Sequence, residues 1–239
     1  MFVKRRPAPA IGSIPHVLQS FRAEVRFYRE IAPVIGIRVP ACHGAYELTD
    51  GETRLELEDL SNWAPGAHPE SLARVLATLH QRWHGRARAR WPWLRSADAG
   101  AELVAALFDR TWTARSDLLP SVRALGDVFV GKVAALPEVP GPTTLVHGDA
   151  STRNARTNRD GEIVLLDWED VVAAPGVCDL AWLLVSSAEP ARWDNVIAAY
   201  GPAPGLREAL PSAMVQGLLD LSDDASIARL EEATRRLSR

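Results

Sequence analysis

Residues 144–167 constrain the fold more than any other part of the sequence. Two short apolar runs flank a polar loop that contains Asp149 and Asn154, and the second run ends in Asp167. Short apolar runs bounded by polar residues are typical of buried strands. The pattern therefore predicts two short strands whose connecting loop brings these three polar side chains together. The alternative, in which Asp149 and Asn154 only cap turns, leaves the strand-borne Asp167 unexplained.

An amphipathic helix is predicted for residues 19–33. Phe21 and Tyr28 belong to an apolar stripe at helical spacing, and Pro33 ends the pattern. At about 100° per residue, Glu24 falls inside this stripe. A carboxylate that faces a core needs a partner, unless it lies at the helix edge and reaches water.

A hairpin and several helices are predicted after this first helix. Residues 37–48 and 54–60 flank a turn at Asp50, which is a strong hairpin signal. Helical patterns follow in residues 69–85, 103–108, 122–136 and beyond residue 179. We expect two lobes, residues 1–60 and 61–239, because the first 60 residues are too few to bury much surface alone.

The composition predicts an ordinary globular protein of the cytoplasm. No apolar run approaches the roughly 18 residues that a membrane helix needs, and the first residues lack the apolar stretch of a signal peptide. The hydrophobic content of 47% is enough for a packed core. Cys42 and Cys178 are far apart and belong to no CxxC pair, so neither a disulfide framework nor a zinc site is predicted. No sequence signal specifies an oligomeric state.

Charge argues against a nucleic-acid partner. The net charge is −3 and the isoelectric point is near 6.1, so the chain has no general attraction to polyanions. Residues 86–95 interleave arginines with Trp91 and Trp93, a mixture that stacking and phosphate contacts could use. The segment is short and lies between two helical patterns, however, so we interpret it as a solvated linker.

The loop sequence also resembles a known family. His147 to Asn154 reads HGDxxxxN, which repeats the Asp-to-Asn interval of the kinase catalytic loop, and Asp167 ends the next strand as the metal-binding Asp of kinases does. The chain resembles the aminoglycoside phosphotransferase and choline kinase-like family, including its ecdysteroid kinase-like relatives, over most of its length. The resemblance implies an α+β, protein-kinase-like fold with a small N-lobe and a mainly helical C-lobe.

The same resemblance implies a phosphotransferase that moves the γ-phosphoryl group of ATP or GTP to a hydroxyl of a small molecule. Asp149 would take the hydroxyl proton, while Asn154 and Asp167 would hold Mg²⁺. Lys4 would hold the phosphates and pair with Glu24. The hinge between the lobes, whose backbone would contact the nucleotide base, would consist of Glu58, Asp59 and Leu60.

Two features favour a small molecule over a protein as the acceptor. Gly148 stands where protein kinases carry an arginine between His and Asp. Only about a dozen residues separate Asp167 from Asp179, without an A-P-E motif, so an ordinary activation segment has no room.

Four neighbouring polar residues are given no part in the chemistry. His147 is expected to pack and to hydrogen-bond the backbone. Asp179 is expected to cap a helix and to support the loop. Glu169 and Asp170 are expected to form a solvated turn.

The sequence departs from the family pattern before Lys4. Only Met1, Phe2 and Val3 precede this lysine, whereas the family has two strands and a glycine-rich loop there. Three interpretations compete: a start codon placed too far downstream, a weakly active enzyme, or a pseudokinase that binds a ligand without catalysis. A metal-dependent hydrolase is a more distant alternative, because the chain has no clustered histidine ligands.

Overall fold

The computed structural model describes residues 1–221 and 223–238. The strands are β1 (Phe2–Arg6), β2 (Cys42–Glu47), β3 (Thr53–Leu57), β4 (Ala64–Pro65), β5 (Arg95–Ser96), β6 (Thr143–Val146), β7 (Ala155–Thr157), β8 (Ile163–Leu165) and β9 (Val172–Pro175). The helices are α1 (Ile14–Val17), α2 (Ser20–Arg26), α3 (Pro69–Trp83), α4 (Ala87–Arg90), α5 (Ala101–Ala114), α6 (Pro120–Asp127), α7 (Val177–Ser187), α8 (Trp193–Tyr200), α9 (Leu206–Leu219) and α10 (Asp224–Leu237).

The first sheet contains three antiparallel strands in the spatial order β1, β3, β2. Its register places Lys4 opposite Leu55. Every second residue of β3 is buried, beginning with Thr53, because successive side chains point to opposite faces of the sheet. Helix α2 packs against β2 and β3. The predicted hairpin is confirmed, with shorter strands than its pattern indicates and an irregular register between Cys42 and Gly44.

The predicted helix of residues 19–33 is confirmed in extent, but only its first part is α-helical. Helix α2 begins after Gln19, which has a left-handed backbone with φ 52°. A π-helical turn (Phe27–Ile31) follows, and then a 3₁₀ turn (Ala32–Val34) that contains Pro33. Proline has no N–H to donate, so regular helix ends here.

Two small sheets carry the segment of residues 144–167. Strands β5, β9 and β6 form one sheet, and β4, β7 and β8 form the other. The two predicted strands are confirmed as β6 and β8. Strand β7, which pairs with β8 in an antiparallel hairpin, was not predicted because Ala155–Thr157 contains no apolar run.

Helix α7 is the centre of the helical part of the chain. Eight of its residues are buried, and it packs against α3, α8, α9 and α10. A helix that is apolar on nearly all sides is typical of a protein core. The predicted pattern of residues 122–136 is not one helix, since α6 ends at Asp127 and a 3₁₀ turn (Val133–Ala135) follows.

The interpretation of residues 86–95 as a solvated linker holds for Arg86, Arg88 and Arg90, which are exposed, but is wrong for the aromatic residues. Trp91 is only 4% exposed, and its ring lies 4.5 Å from that of Trp83. Trp93 donates a hydrogen bond to Glu30 and lies under the guanidinium of Arg26. The aromatic residues of this segment thus pack the protein instead of facing solvent.

Within residues 1–221 and 223–238, no helix has the length and apolarity needed to cross a bilayer. The division of the chain at residue 60 stays a prediction.

Candidate active site

The polar loop between β6 and β7 brings Asp149 and Asn154 into direct contact. Asn154 Nδ2 donates to Asp149 Oδ2 at 2.8 Å and to the Asp149 carbonyl at 3.0 Å. These bonds use the amide nitrogen and leave Oδ1 of Asn154 available as an acceptor. The N–H of Leu166 donates to the Asn154 carbonyl at 2.9 Å, which places the next residue, Asp167, beside the loop.

His147 fixes the backbone of this loop. Its ring is buried, its Nε2 lies 2.8 Å from the carbonyl of Leu166, and its Nδ1 accepts from the N–H of Asp149 at 3.2 Å. A neutral ring satisfies both bonds when Nε2 carries the proton. His147 therefore packs and bonds backbone, as predicted.

Asp179 binds the backbone of the loop between β6 and β7. Its carboxylate accepts from the N–H groups of His147 at 2.8 Å and Gly148 at 3.0 Å, and from Nε2 of His80 at 3.0 Å. Burial alone would raise the pKa of Asp179, but the bonds and charge of His80 outweigh it and lower that pKa. The predicted support of the loop is confirmed. The predicted helix cap is wrong, because α7 has no side-chain cap and this carboxylate bonds the loop instead.

Gly148 needs to be glycine. Its φ is 88°, a left-handed conformation that side chains disfavour, and a Cβ there would overlap the carbonyl oxygen of Asp170. The glycine that distinguishes this loop from that of protein kinases is thus also required by packing.

Trp182 is a contact of the site that the sequence reasoning missed. Its indole Nε1 donates to Asp149 Oδ1 at 2.5 Å, and the side chain is only 4% exposed. Both carboxylate oxygens of Asp149 are therefore oriented by donors, one from Trp182 and one from Asn154. A tryptophan within an apolar helix carries no sequence signal for this role, because it is equally typical of a core residue.

Lys4 joins the first sheet to the end of β8. Its Nζ lies 2.8 Å from Glu24 and 2.5 Å from Oδ1 of Asp167. Glu24 is only 2% exposed, so the carboxylate in the apolar stripe has the partner that it requires. Burial alone would lower the pKa of Lys4, but these two carboxylates raise it above its usual value.

The interpretation of Glu169 and Asp170 as a solvated turn is wrong. Glu169 lies 2.8 Å from Arg6 and 3.8 Å from Lys4. Burial and the charge of Asp167 raise the pKa of Glu169 to about 7. Burial also raises the pKa of Asp170.

The predicted hinge residues contact other parts of the chain. Glu58 pairs with Arg38 at 2.6 Å and accepts from the N–H of Ala41. Asp59 lies 3.7 Å from the amino terminus, and Leu60 is buried. The contact of their backbone with a nucleotide base stays a prediction.

The donor set of the site fits Mg²⁺. Oxygens of Glu24, Asp167 and Glu169 all lie within 4.8 Å of one another, and the Asn154 carbonyl accepts from the N–H of Leu166, the residue before Asp167. Hard oxygen ligands of this kind are what Mg²⁺ prefers. The structure adds two carboxylates, those of Glu24 and Glu169, beside the predicted ligand Asp167.

Comparison with known proteins identifies the fold. A family model described as the phosphotransferase enzyme family matches residues 1–214, and no curated protein matches the chain. The structure is similar to choline kinase from Streptococcus pneumoniae, with a TM-score of 0.56, 16% identity, and coverage of 99% of this chain and 85% of that one.

Two aminoglycoside phosphotransferases are similar as well. A 2′-phosphotransferase-IIIa in complex with GDP has a TM-score of 0.56, 14% identity, and coverage of 92% of this chain and 82% of that one. A thermostable mutant in ternary complex with AMP-PNP and hygromycin B has a TM-score of 0.52, 15% identity, and the same coverages. These structural similarities confirm the predicted protein-kinase-like fold, and the family model confirms the predicted family.

Proposed function

Because the chain belongs to the phosphotransferase enzyme family, we propose that it transfers the γ-phosphoryl group of ATP or GTP to a hydroxyl group of a small molecule. The observation that carries the proposal is the convergence of the residues proposed as base, metal ligands and phosphate-binding lysine. Asn154 Nδ2 lies 2.8 Å from Asp149 Oδ2, and Nζ of Lys4 bonds both Glu24 and Asp167.

Asn154 and Asp167 would hold Mg²⁺ through hard oxygens. The bound ion supplies neutralisation of the phosphate charges, which is the main requirement of phosphoryl transfer. Lys4 would contact the phosphates as a point charge, and Glu24 would hold its ammonium group in place. The buried position of Glu24 makes this orientation independent of solvent.

Asp149 would act on the acceptor. The hydroxyl oxygen of the acceptor bonds to the γ-phosphorus, the bond from that phosphorus to the bridging oxygen breaks, and the nucleoside diphosphate leaves. The hydroxyl proton passes to the carboxylate of Asp149. Trp182 and Asn154 hold the two oxygens of this carboxylate, so its orientation is set before the acceptor binds.

Two features support a small acceptor. Gly148 occupies the position of the protein-kinase arginine, and the stretch from Asp167 to Asp179 is taken up by a short turn, β9 and the start of α7. The similar structures hold AMP-PNP in one case and GDP in another. Both ATP and GTP therefore belong in the test.

Transfer of labelled γ-phosphate tests the proposal. The chain is incubated with Mg-ATP or Mg-GTP and with aminoglycosides, choline, sugars and sterols in turn. We expect transfer to at least one hydroxyl compound, and a loss of about 100-fold or more for Asp149→Asn and for Asp167→Asn. The matched control is Asp160→Asn, which changes an exposed acid in the turn between β7 and β8.

Calorimetry separates the proposal from a pseudokinase. A phosphotransferase binds nucleotide more tightly with Mg²⁺ than without it, and Asp167→Asn removes the difference. If the nucleotide affinity is the same with and without Mg²⁺ and no acceptor is phosphorylated, a ligand-binding pseudokinase is favoured instead.

A further inference from the structure

A cavity of about 430 Å³ lies beneath the catalytic loop. It is bounded by the sheet of β5, β9 and β6 and by helices α5, α7 and α9. Gly148 and Trp182 belong to its wall, and the Trp182 indole bonds Asp149. A hydroxyl group at this end of the cavity would therefore lie beside the proposed base. The volume is within the range of pockets that bind small molecules.

The walls of this cavity are mostly aliphatic. Val104 and Leu107 of α5, Val172 of β9 and Leu219 of α9 are typical of the lining. Such walls remove apolar surface of a ligand from water, which is favourable in proportion to the area buried. The body of the ligand should therefore be apolar.

One cation in the wall has no partner. The Nε and one terminal nitrogen of Arg95 are buried, and neither has a hydrogen-bond partner in the part of the chain that the structure describes. Burial lowers the pKa of Arg95, and the charge of Asp170 opposes that effect. The two side chains nevertheless form no ion pair within 4.0 Å, so the guanidinium keeps donors for another group. A buried donor without an acceptor is costly, and a ligand can supply the acceptor.

We infer that this cavity binds the phosphoryl acceptor, and that the acceptor is an alcohol with an apolar body and an anionic group, such as a carboxylate, that Arg95 binds. The inference rests on the proposed function. A planar guanidinium and a carboxylate form paired, charge-assisted hydrogen bonds, which gives the ligand a fixed orientation.

The strand register indicates how long such a ligand must be to contact both Arg95 and Asp149. Arg95 pairs with Val172, and Val172 pairs with Val146, so the three residues lie side by side across the sheet. Two strand spacings amount to roughly 10 Å between the backbones of Arg95 and Val146. Asp149 follows Val146 by three residues, so a molecule of modest length can meet Arg95 at one end and Asp149 at the other.

The cavity is poorly suited to a cation. Among its described lining residues the carboxylates are Asp170 and Asp179, and Asp179 is already bonded to His80 and to the loop. Trp182 is the single aromatic residue among the lining residues that the structure describes, whereas quaternary ammonium groups are bound by several aromatic rings. A polycation would also meet the unpaired Arg95.

Three probes of equal length test the inference. They are 8-hydroxyoctanoate, 1,8-octanediol and 8-amino-1-octanol. All three have a hydroxyl at one end of a linear eight-carbon chain, and the other end is a carboxylate, a second hydroxyl or an ammonium group. Binding to the full chain is measured by calorimetry with Mg-AMP-PNP present. We expect 8-hydroxyoctanoate to bind at least 10-fold more tightly than the other two, as one hydrogen-bonded charge pair predicts.

Variants of Arg95 test whether this side chain causes the tighter binding of 8-hydroxyoctanoate. We expect Arg95→Gln to abolish it and Arg95→Lys to retain part of it, with Arg90→Gln, an exposed arginine of α4, as the matched control. Thermal unfolding checks that each variant is folded. Equal binding of the three probes, tighter binding of the amine, no binding of any probe, or an unchanged preference in folded Arg95→Gln would overturn the inference. An Arg95-dependent preference without phosphoryl transfer would support the binding site and count against the proposed function.

Discussion

Replacing Asp179 with alanine should destabilise the protein strongly. The carboxylate is 1% exposed and accepts three hydrogen bonds, from the N–H groups of His147 and Gly148 and from the ring of His80. Alanine leaves three buried donors without an acceptor. Each unsatisfied donor costs about 1–3 kcal/mol, and partial relaxation brings the expected total to about 3–5 kcal/mol.

Asparagine in the same position should cost less. Its one oxygen can still accept from His147 and His80, while its NH₂ group faces the N–H of Gly148. We expect Asp179→Asn to lose about 1–3 kcal/mol of the free energy of unfolding, since one acceptor is lost. The free energy of unfolding of an ordinary domain is about 5–15 kcal/mol, so the asparagine variant should remain folded.

The same carboxylate gives a pH dependence with a definite sign. Its pKa in the folded protein is lower than in the unfolded chain. The unfolded chain therefore binds the proton more readily, and the contribution of Asp179 is fully present above about pH 4 and is lost as the pH falls towards the folded pKa. The wild-type protein should consequently lose stability on acidification more steeply than Asp179→Asn does.

Urea denaturation, followed by tryptophan fluorescence and circular dichroism between pH 7 and about pH 2, measures both effects, because the predicted loss lies below the unfolded pKa of about 4. Asp160→Ala, in an exposed turn, is the control and should change the free energy of unfolding by less than about 0.5 kcal/mol. A loss below 1 kcal/mol for Asp179→Ala, or equal acid sensitivity of wild type and Asp179→Asn, would refute the reasoning about this network.

Three other outcomes are expected. Trp182→Phe removes the hydrogen-bond donor to Asp149 Oδ1. Steady-state kinetics should show kcat lowered about 10-fold or more while KM for the nucleotide changes little. A changed KM for the nucleotide with a normal kcat would contradict this prediction. Gly148→Ala should fold poorly because its Cβ overlaps a backbone carbonyl, and a normal thermal midpoint would argue against that overlap. Burial raises the pKa of Cys178 to about 12, so iodoacetamide at pH 8 should alkylate the exposed Cys42 first, and mass spectrometry that finds Cys178 modified in the native protein would disagree.

Local sequence was sufficient to predict the loop that contains the proposed base. His147, Asp149 and Asn154 lie within eight consecutive residues, so their spacing alone predicts that they meet, and the apolar run before Asp167 predicts the strand that delivers it. Glu24 was also accessible to reasoning, because a charged residue inside an apolar helical stripe requires a partner.

Other parts of the site could not be predicted because they depend on packing between distant segments. The bond from Trp182 to Asp149 spans 33 residues, and that from Arg6 to Glu169 spans 163. In the sequence, Trp182 is one more apolar residue of α7, and Arg95 is one of several arginines in a short basic stretch. Only the folded chain shows that one orients a carboxylate and the other lies in a cavity wall.

Asp179 and Trp182 are three residues apart in α7, so both project from one side of the helix. One binds the backbone of the catalytic loop and the other binds its acidic side chain. Insertion of a single residue between them would turn Trp182 by about 100° around the helix axis and carry its indole away from Asp149. Every residue of the site would still be present, yet the proposed base would lose its orientation. The spacing of Asp179 and Trp182 along this helix therefore matters to the site as much as their identities do.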